Sequence, residues 1–272
     1  MHIIVKLEGS PPVTFTVNEN GRGAPFFVMG IRKCGSTMMN KICFALCDIN
    51  GVHFVDVSNG FFHNNVAAGD WIGEPAVAAV LKPGNAYMGF RNMPVCFQDN
   101  PLFEAGRKIL LVRDPRDAIV SEYFSNAYSH AIPDGENDEE GARGNLLAKR
   151  KIALESTVEY HARKHVPLMK KTFELYRDIC ADPNLLLLKY EDCIFDKVKM
   201  IGKILDHFGW TCSESSRDIL LKSVDVRPQV ENPKAFIRKV TPGDHKEKLS
   251  PETIRVLNEE LAEVLEFYGY AA

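Results

Sequence analysis

The stretch Phe26-Phe27-Val28-Met29-Gly30-Ile31-Arg32-Lys33-Cys34-Gly35-Ser36-Thr37 governs how the chain is read. Phe26 to Gly30 is a short uncharged run of strand type, and Thr37 to Cys47 carries a helical pattern, so the residues between them form a strand-to-helix turn. Such a turn aims several backbone N–H groups and the positive end of a helix at one point, which suits a phosphate. It departs from the loop of nucleotide triphosphatases, which sets Gly-Lys directly before Ser/Thr. Here Ser36 follows Gly35, and the nearby lysines are Lys33 and, on the helix, Lys41. A lysine three residues ahead of Ser36 puts a cation beside the terminal anion, and no partner acid for magnesium stands out. That suits breaking a bond between a phosphate oxygen and sulfur without a metal. Taken alone, the loop equally fits a glycine turn with a structural lysine that binds nothing.

A second junction of the same kind runs from Lys108 to Tyr123, where Asp114-Pro115 ends an apolar strand and a helix follows. Arg113 at the strand's carboxyl end and Ser121 on the first helical turns converge on one monoester phosphate, the arginine offering a fork of charged donors and the serine a hydroxyl. Arg116 and Asp117 are read instead as members of a turn-stabilising ion pair.

Around these junctions short apolar runs alternate with longer helical patterns, the signature of βαβ units. Strands are expected at Phe26–Gly30, Phe54–Val57, Ala86–Phe90, Lys108–Val112 and Leu185–Lys189. Helices are expected at Thr37–Cys47, Asp117–Tyr128, Lys149–Ile179 and Asp196–Phe208, and from the Ser250 cap to Gly269. The fold class is therefore α/β: a single three-layer domain, residues 25–272, with a central parallel sheet flanked by helices. Residues 1–24 read as a β-hairpin extension of two strands, His2 to Leu7 and Val13 to Val17. The acidic stretch Pro133 to Gly144 has no periodicity and reads as a solvated loop.

With these elements in place, the sequence resembles the PAPS-dependent sulfotransferase family, cytosolic type, whose fold is P-loop-like. Lys33-Cys34-Gly35-Ser36-Thr37 is similar to its 5′-phosphosulfate loop, and Arg113 with Ser121 matches its 3′-phosphate motif in type and spacing. Lys189-Tyr190-Glu191-Asp192 looks like its tyrosine-acid segment, and Phe236 to Lys246 like its late RKG…GDWK loop. The resemblance covers roughly residues 25 to 250. It implies transfer of a sulfonate from PAPS (3′-phosphoadenosine-5′-phosphosulfate) to a hydroxyl or amine, with 3′,5′-ADP as product. It also implies that Lys33, Gly35, Ser36 and Thr37 hold the 5′-phosphate and sulfonate with Cys34 in the same cofactor loop, that Arg113, Ser121, Arg238 and Lys239 hold the 3′-phosphate, that Tyr190 lies near the adenine, and that Met38 takes the place of an adenine-stacking residue.

Four positions depart from the family. Met38 stands where a tryptophan is common, Val240 and His245 replace a glycine and a tryptophan of the late loop, and Asn92, which cannot take a proton, stands at the usual catalytic histidine. Lys33, helped by Arg91, is expected to stabilise the leaving group, and the base is left among His53, His63 and Glu74. Phe61, Phe62 and Trp71 fit either an acceptor pocket or the core. The acceptor is taken as a small molecule, carbohydrate or lipid. A small-molecule kinase and a catalytically silent nucleotide-binding module are the competing readings.

The totals support a local site. A formal net charge of −3 over 272 residues gives no general attraction to nucleic acid. The seven cysteines lack metal-ligand spacing and suit a reducing compartment, and no apolar run is long enough for a signal or a span, so a soluble cytoplasmic protein is expected.

Overall fold

The computed structural model describes residues 1–134 and 139–271. Strands β1 (His2–Val5) and β2 (Val13–Thr16) form an antiparallel hairpin. Strands β3 (Phe26–Gly30), β4 (His53–Asp56), β5 (Asn85–Phe90), β6 (Arg107–Val112) and β7 (Leu185–Lys189) form one sheet in the order β4-β5-β3-β6-β7, parallel throughout. The α/β expectation is borne out. Between and after the strands run α1 (Ser36–Ile49), α2 (Val57–His63), α3 (Ala68–Trp71), α4 (Pro101–Ala105), α5 (Pro115–Phe124), α6 (Gly141–Leu154) and α7 (Val158–Leu175). They are followed by α8 (Tyr190–Cys193), α9 (Lys197–Phe208), α10 (Glu214–Val224), α11 (Asp244–Lys248), α12 (Pro251–Glu260) and α13 (Ala262–Tyr268).

Strand alternation divides the core into two layers. In β3, Val28 points toward α1, α9 and α10, packing with Met39, Ile42, Ile204 and Leu220. Phe27 and Met29 point to the other side, where α2, α5, α7 and the C-terminal helices meet the hairpin residues Val13, Phe15 and Val17. Because both faces are covered, β3, β5 and β6 read as continuous apolar runs rather than alternating ones. Phe27 is fully buried among Tyr87, Phe97 and Phe103, at ring distances of 5.5, 5.3 and 5.0 Å.

The register places the two candidate loops at one edge. Gly30 pairs with Leu111, so the exits of β3 and β6 are neighbours at the carboxyl end of the sheet, where open α/β sheets bind ligands. On the other side of β3, the pairing with β5 slips between Phe27 and Met29, and Gly89 adopts φ 86°. A side chain there would strike Asp56 Oδ1 at 2.3 Å, so only glycine permits this bend, which turns Arg91 off the same edge.

Several boundaries differ from expectation, and at the starts of α2, α5 and α7 a side-chain cap decides the position. Val57 opens α2 instead of ending a strand, since the Asp56 carboxylate accepts the Asn59 N–H at 3.1 Å. The segment expected as one helix over Lys149–Ile179 is two, α6 and α7, with Thr157 accepting the Tyr160 N–H at the start of the second. α6 begins at Gly141, within the stretch expected as loop. Residues 135–138 of that stretch lie outside the described residues. The helix expected from Asp117 to Tyr128 starts at Pro115 and passes after Phe124 into a π turn, Ser125–Ser129, and the last helix breaks at Leu261.

Phe27→Ala should destabilise the fold by about 3–5 kcal/mol in urea unfolding with an unchanged slope, because it empties the centre of an aromatic cluster. A loss below about 1 kcal/mol would show that this layer is not close-packed.

Candidate active site

The β3–α1 loop is built to receive an anion. Lys33 and Gly35 both take left-handed backbone angles, φ 63° and 95°, turning successive N–H groups toward one hollow. α1 has no side-chain cap and no acid in its first turn, so its leading N–H groups stay directed into that loop. A β-carbon at Gly35 would stand 3.0 Å from the Tyr190 ring, which fixes glycine at this position.

Lys33 is half-buried, and its ammonium has neither ion pair nor hydrogen bond among the described residues. Burial, joined by the charges of Arg32 and Arg91, brings it down to about 8. Arg32 is paired with Glu122, and Arg91, whose own pKa is lowered by burial, lies near enough to Asp56 to feel its charge. Of these cations, Lys33 is the one without an acid of its own.

Arg113 sits at the exit of β6, 6% exposed, with its guanidinium 4.6 Å above the Tyr190 ring. Tyr190 therefore lies between Gly35 and Arg113 and joins the two loops, and its hydroxyl donates to the Val240 carbonyl of the late loop at 3.2 Å. Arg113 Nη2 donates to Asp117 Oδ2 at 3.3 Å, while Arg113 Nε is buried without a partner among the described residues. The Ser121 side chain is half-buried on the same helix as Asp117.

Asp117 corrects the sequence reading. The turn-stabilising pair is Arg116 with Asp114, at 2.7 Å, whereas Asp117 fastens the late loop onto α5. Its carboxylate accepts the backbone N–H of Gly243 at 2.7 Å and of His245 at 3.0 Å, and also contacts His245 Nδ1 at 2.6 Å. Burial alone would raise its pKa, but His245, Arg113 and the two amides together hold it well below the usual carboxylate range. His245 is thus a buried structural partner of Asp117. The clasp seats Arg238 over the Phe124 ring at 4.2 Å, on the same helix face as Ser121. Arg238 is paired with Glu231 and Asp244, and Lys239 with Asp244 at 3.2 Å and Glu247 at 2.6 Å.

The base candidates fare differently. His53 opens β4 at the amino edge of the sheet, opposite the two loops, and its Nε2 bonds the Thr16 carbonyl at 2.9 Å. Glu74 is exposed and caps a short 3-10 turn. His63 is exposed at the end of α2, close enough to Asp56 to act on its charge. Phe61 and Trp71 stack on each other in the core at 4.9 Å, leaving Phe62 half-buried beside His130 at a ring distance of 6.0 Å.

His130 was not among the sequence candidates. It follows the π turn after α5, and burial, together with Lys33, Arg91 and Arg32, lowers its pKa to about 4. Those three influences place it beside the β3–α1 loop. Its Nδ1 faces the Ala131 carbonyl at 2.9 Å, which assigns the proton to Nδ1 and leaves the Nε2 lone pair free. No local motif marks it. The only signal in the sequence is its position nine residues beyond Ser121.

The model of the sulfotransferase domain matches residues 24–269. The chain belongs to the sulfotransferase domain family. Rat sulfotransferases 2A1 and 2A6 are 30% and 28% identical to it over 145 residues, which is 52% of this chain and 45% of each relative. The chain thus spans about half the length of the curated relatives it matches. Among solved structures, this sulfotransferase domain shares its fold with mouse sulfotransferase SULT7A1 complexed with PAP, at 15% identity and TM-score 0.60, covering 98% of this chain and 99% of that one. It also resembles retinol dehydratase in a complex with retinol and PAP, at 16% identity and TM-score 0.52, covering 97% and 90%.

Asp117→Ala should cost this domain about 3–5 kcal/mol in chemical denaturation, because it strands Arg113 and frees the late loop. Since the folded pKa is depressed, the stability Asp117 contributes is present above the unfolded carboxylate range and fades as pH falls below it. An unchanged denaturation midpoint for the variant would remove Asp117 as the clasp.

Proposed function

We propose that the chain transfers a sulfonate group from PAPS to a hydroxyl or amine of a small-molecule, carbohydrate or lipid acceptor, by in-line attack without a metal. One observation carries this reading. Among the described residues, an uncapped helix start with an unpaired lysine and a buried arginine with an orphaned Nε stand at the exits of adjacent parallel strands, on either side of Tyr190. A ligand with two separated anionic ends fits two separated cationic pockets better than any single anion does.

In this reading, Lys33 and the leading amides of α1 bind the 5′-phosphate and sulfonate. Arg113 and Ser121 bind the 3′-phosphate, and Tyr190 packs near the adenine. Arg238 and Lys239 join them by exchanging part of their hold on Glu231, Asp244 and Glu247 for the phosphate. PAPS supplies a sulfonate on a good leaving group. The acceptor oxygen or nitrogen forms a bond to sulfur as the bond from sulfur to the phosphate oxygen breaks. Lys33 holds the charge that grows on that phosphate oxygen.

The acceptor's proton goes to His130 Nε2. Burial is the first cause of its pKa of about 4, with Lys33, Arg91 and Arg32 adding to it; bound anions would offset the cationic part and raise it, and the neutral imidazole is the form that accepts a proton. Phe62, half-buried beside His130, offers an apolar wall for the acceptor.

Calorimetry with 3′,5′-ADP against ATP-magnesium, with a labelled-PAPS screen over phenols, sugars and lipids, tests the reading. Lys33→Ala should lower turnover about 10²–10³-fold, far more than it weakens 3′,5′-ADP binding. Arg113→Ala should weaken 3′,5′-ADP about tenfold to a hundredfold. Equal effects of both changes on binding would overturn the assignments, and 3′,5′-ADP binding without transfer to any acceptor would identify a silent nucleotide-binding module. His130→Asn should reduce kcat by about 10²–10⁴ while leaving nucleotide binding intact. Unchanged kcat would exclude it as base.

A further inference from the structure

Beside the β3–α1 loop, where it pairs with Arg32 and its charge acts on Lys33, Glu122 on α5 meets two histidines of α7. His161 and His165 are one turn apart, so their imidazoles project from the same helix face and stack at 3.9 Å. His165 Nδ1 stands 3.6 Å and His161 Nε2 3.9 Å from Glu122 Oε2, and the three candidate ligand atoms all lie within 4.8 Å of one another. It is the one group of three such side chains among the described residues.

The nitrogens and the oxygen face a shared space, at separations longer than an ordinary hydrogen bond. His161 is 3% exposed, and its Nε2 is buried with no hydrogen-bond partner among the described residues. An orphaned imidazole nitrogen is costly to bury, and it is the atom a metal ion uses. Tyr123 holds that ring edge-on at 5.5 Å, so its direction is set by packing. Glu122, itself 3% exposed, pairs with Arg32 through Oε1, leaving Oε2 turned toward the histidines.

We propose that Glu122, His161 and His165 form a binding site for a divalent transition-metal ion of the zinc type, with a fourth position open to water. Two imidazoles and one carboxylate are a donor set this class favours. Around a tetrahedral zinc, ligand atoms lie about 3.4 Å apart, given bond lengths of about 2.0–2.2 Å. Reaching that value requires the two imidazoles, now stacked nearly parallel, to turn apart so that both in-plane lone pairs meet at one point. His165, partly exposed, marks the way in. The ion clamps α5 to α7 directly behind Arg32, and shares the Glu122 carboxylate with it. Its role is to fix the helix that carries Ser121, not to touch a reacting group, so the site stands independently of the sulfonate-transfer reading.

The test uses the untagged full chain, stripped with chelator and titrated with zinc against a chromophoric indicator, with cobalt as a spectroscopic probe. The expected result is one equivalent bound, a raised thermal midpoint, and a tetrahedral cobalt spectrum without sulfur charge transfer. His161→Ala and His165→Ala should each abolish all three. His165 is the safer variant, since its partial exposure spares the core. Failure to bind zinc, or binding that survives both substitutions and disappears on thiol blocking, would overturn the proposal and in the latter case assign the ion to the cysteines.

Discussion

Like charges crowded into a partly buried place repel one another, and this fold gathers Arg32, Lys33, Arg91 and Arg113 at a single edge of one sheet. The arrangement survives because an acid from another element meets each arginine: Glu122 meets Arg32, Asp117 meets Arg113, and Asp56 acts on Arg91. Lys33 is left over, and its lowered pKa is the electrostatic signature of that deficit. A bound anion would complete the set. The parallel register makes the crowding unavoidable, since the exits of β3 and β6 are adjacent and Tyr190 fills the space between them.

The same acids organise what surrounds the site. Asp117 reaches 126 residues along the chain to the Gly243 amide, so one carboxylate both answers Arg113 and seats the loop carrying Arg238. The salt links of Arg238 and Lys239 to Glu231, Asp244 and Glu247 hold that loop in place. In place of a tryptophan, His245 ties this loop down by hydrogen bonding rather than stacking. Met38, where the family often has another tryptophan, packs partly against the layer under α1.

Much of this was legible in the residues because the informative elements are local. A strand, a glycine turn and a helix start within twelve residues announce the first loop, and Arg113 with Ser121 announces the second. What stayed hidden depends on distance along the chain. The Arg32–Glu122 pair spans 90 residues, and no pattern near Asp117 distinguishes a turn-stabilising carboxylate from a clasp. His130 escaped notice for a related reason: it leaves a π turn that no periodicity reveals, and only tertiary packing brings it to Lys33. His53 misled in the opposite sense, since a histidine close in sequence to the expected acceptor region lies at the amino end of its strand. Helix lengths failed where side-chain caps, as at Thr157, override a continuous apolar stripe.

The account rests on Lys33 being held short of a counter-charge until an anion arrives. Calorimetric titration of 3′,5′-ADP just above pH 8, in buffers of differing ionisation enthalpy, measures the protons taken up on binding. The account predicts net uptake in the native chain, as the bound 5′-phosphate draws the Lys33 pKa back up, and its disappearance in Lys33→Met. Binding with no proton uptake, or with uptake unchanged in that variant, would contradict it.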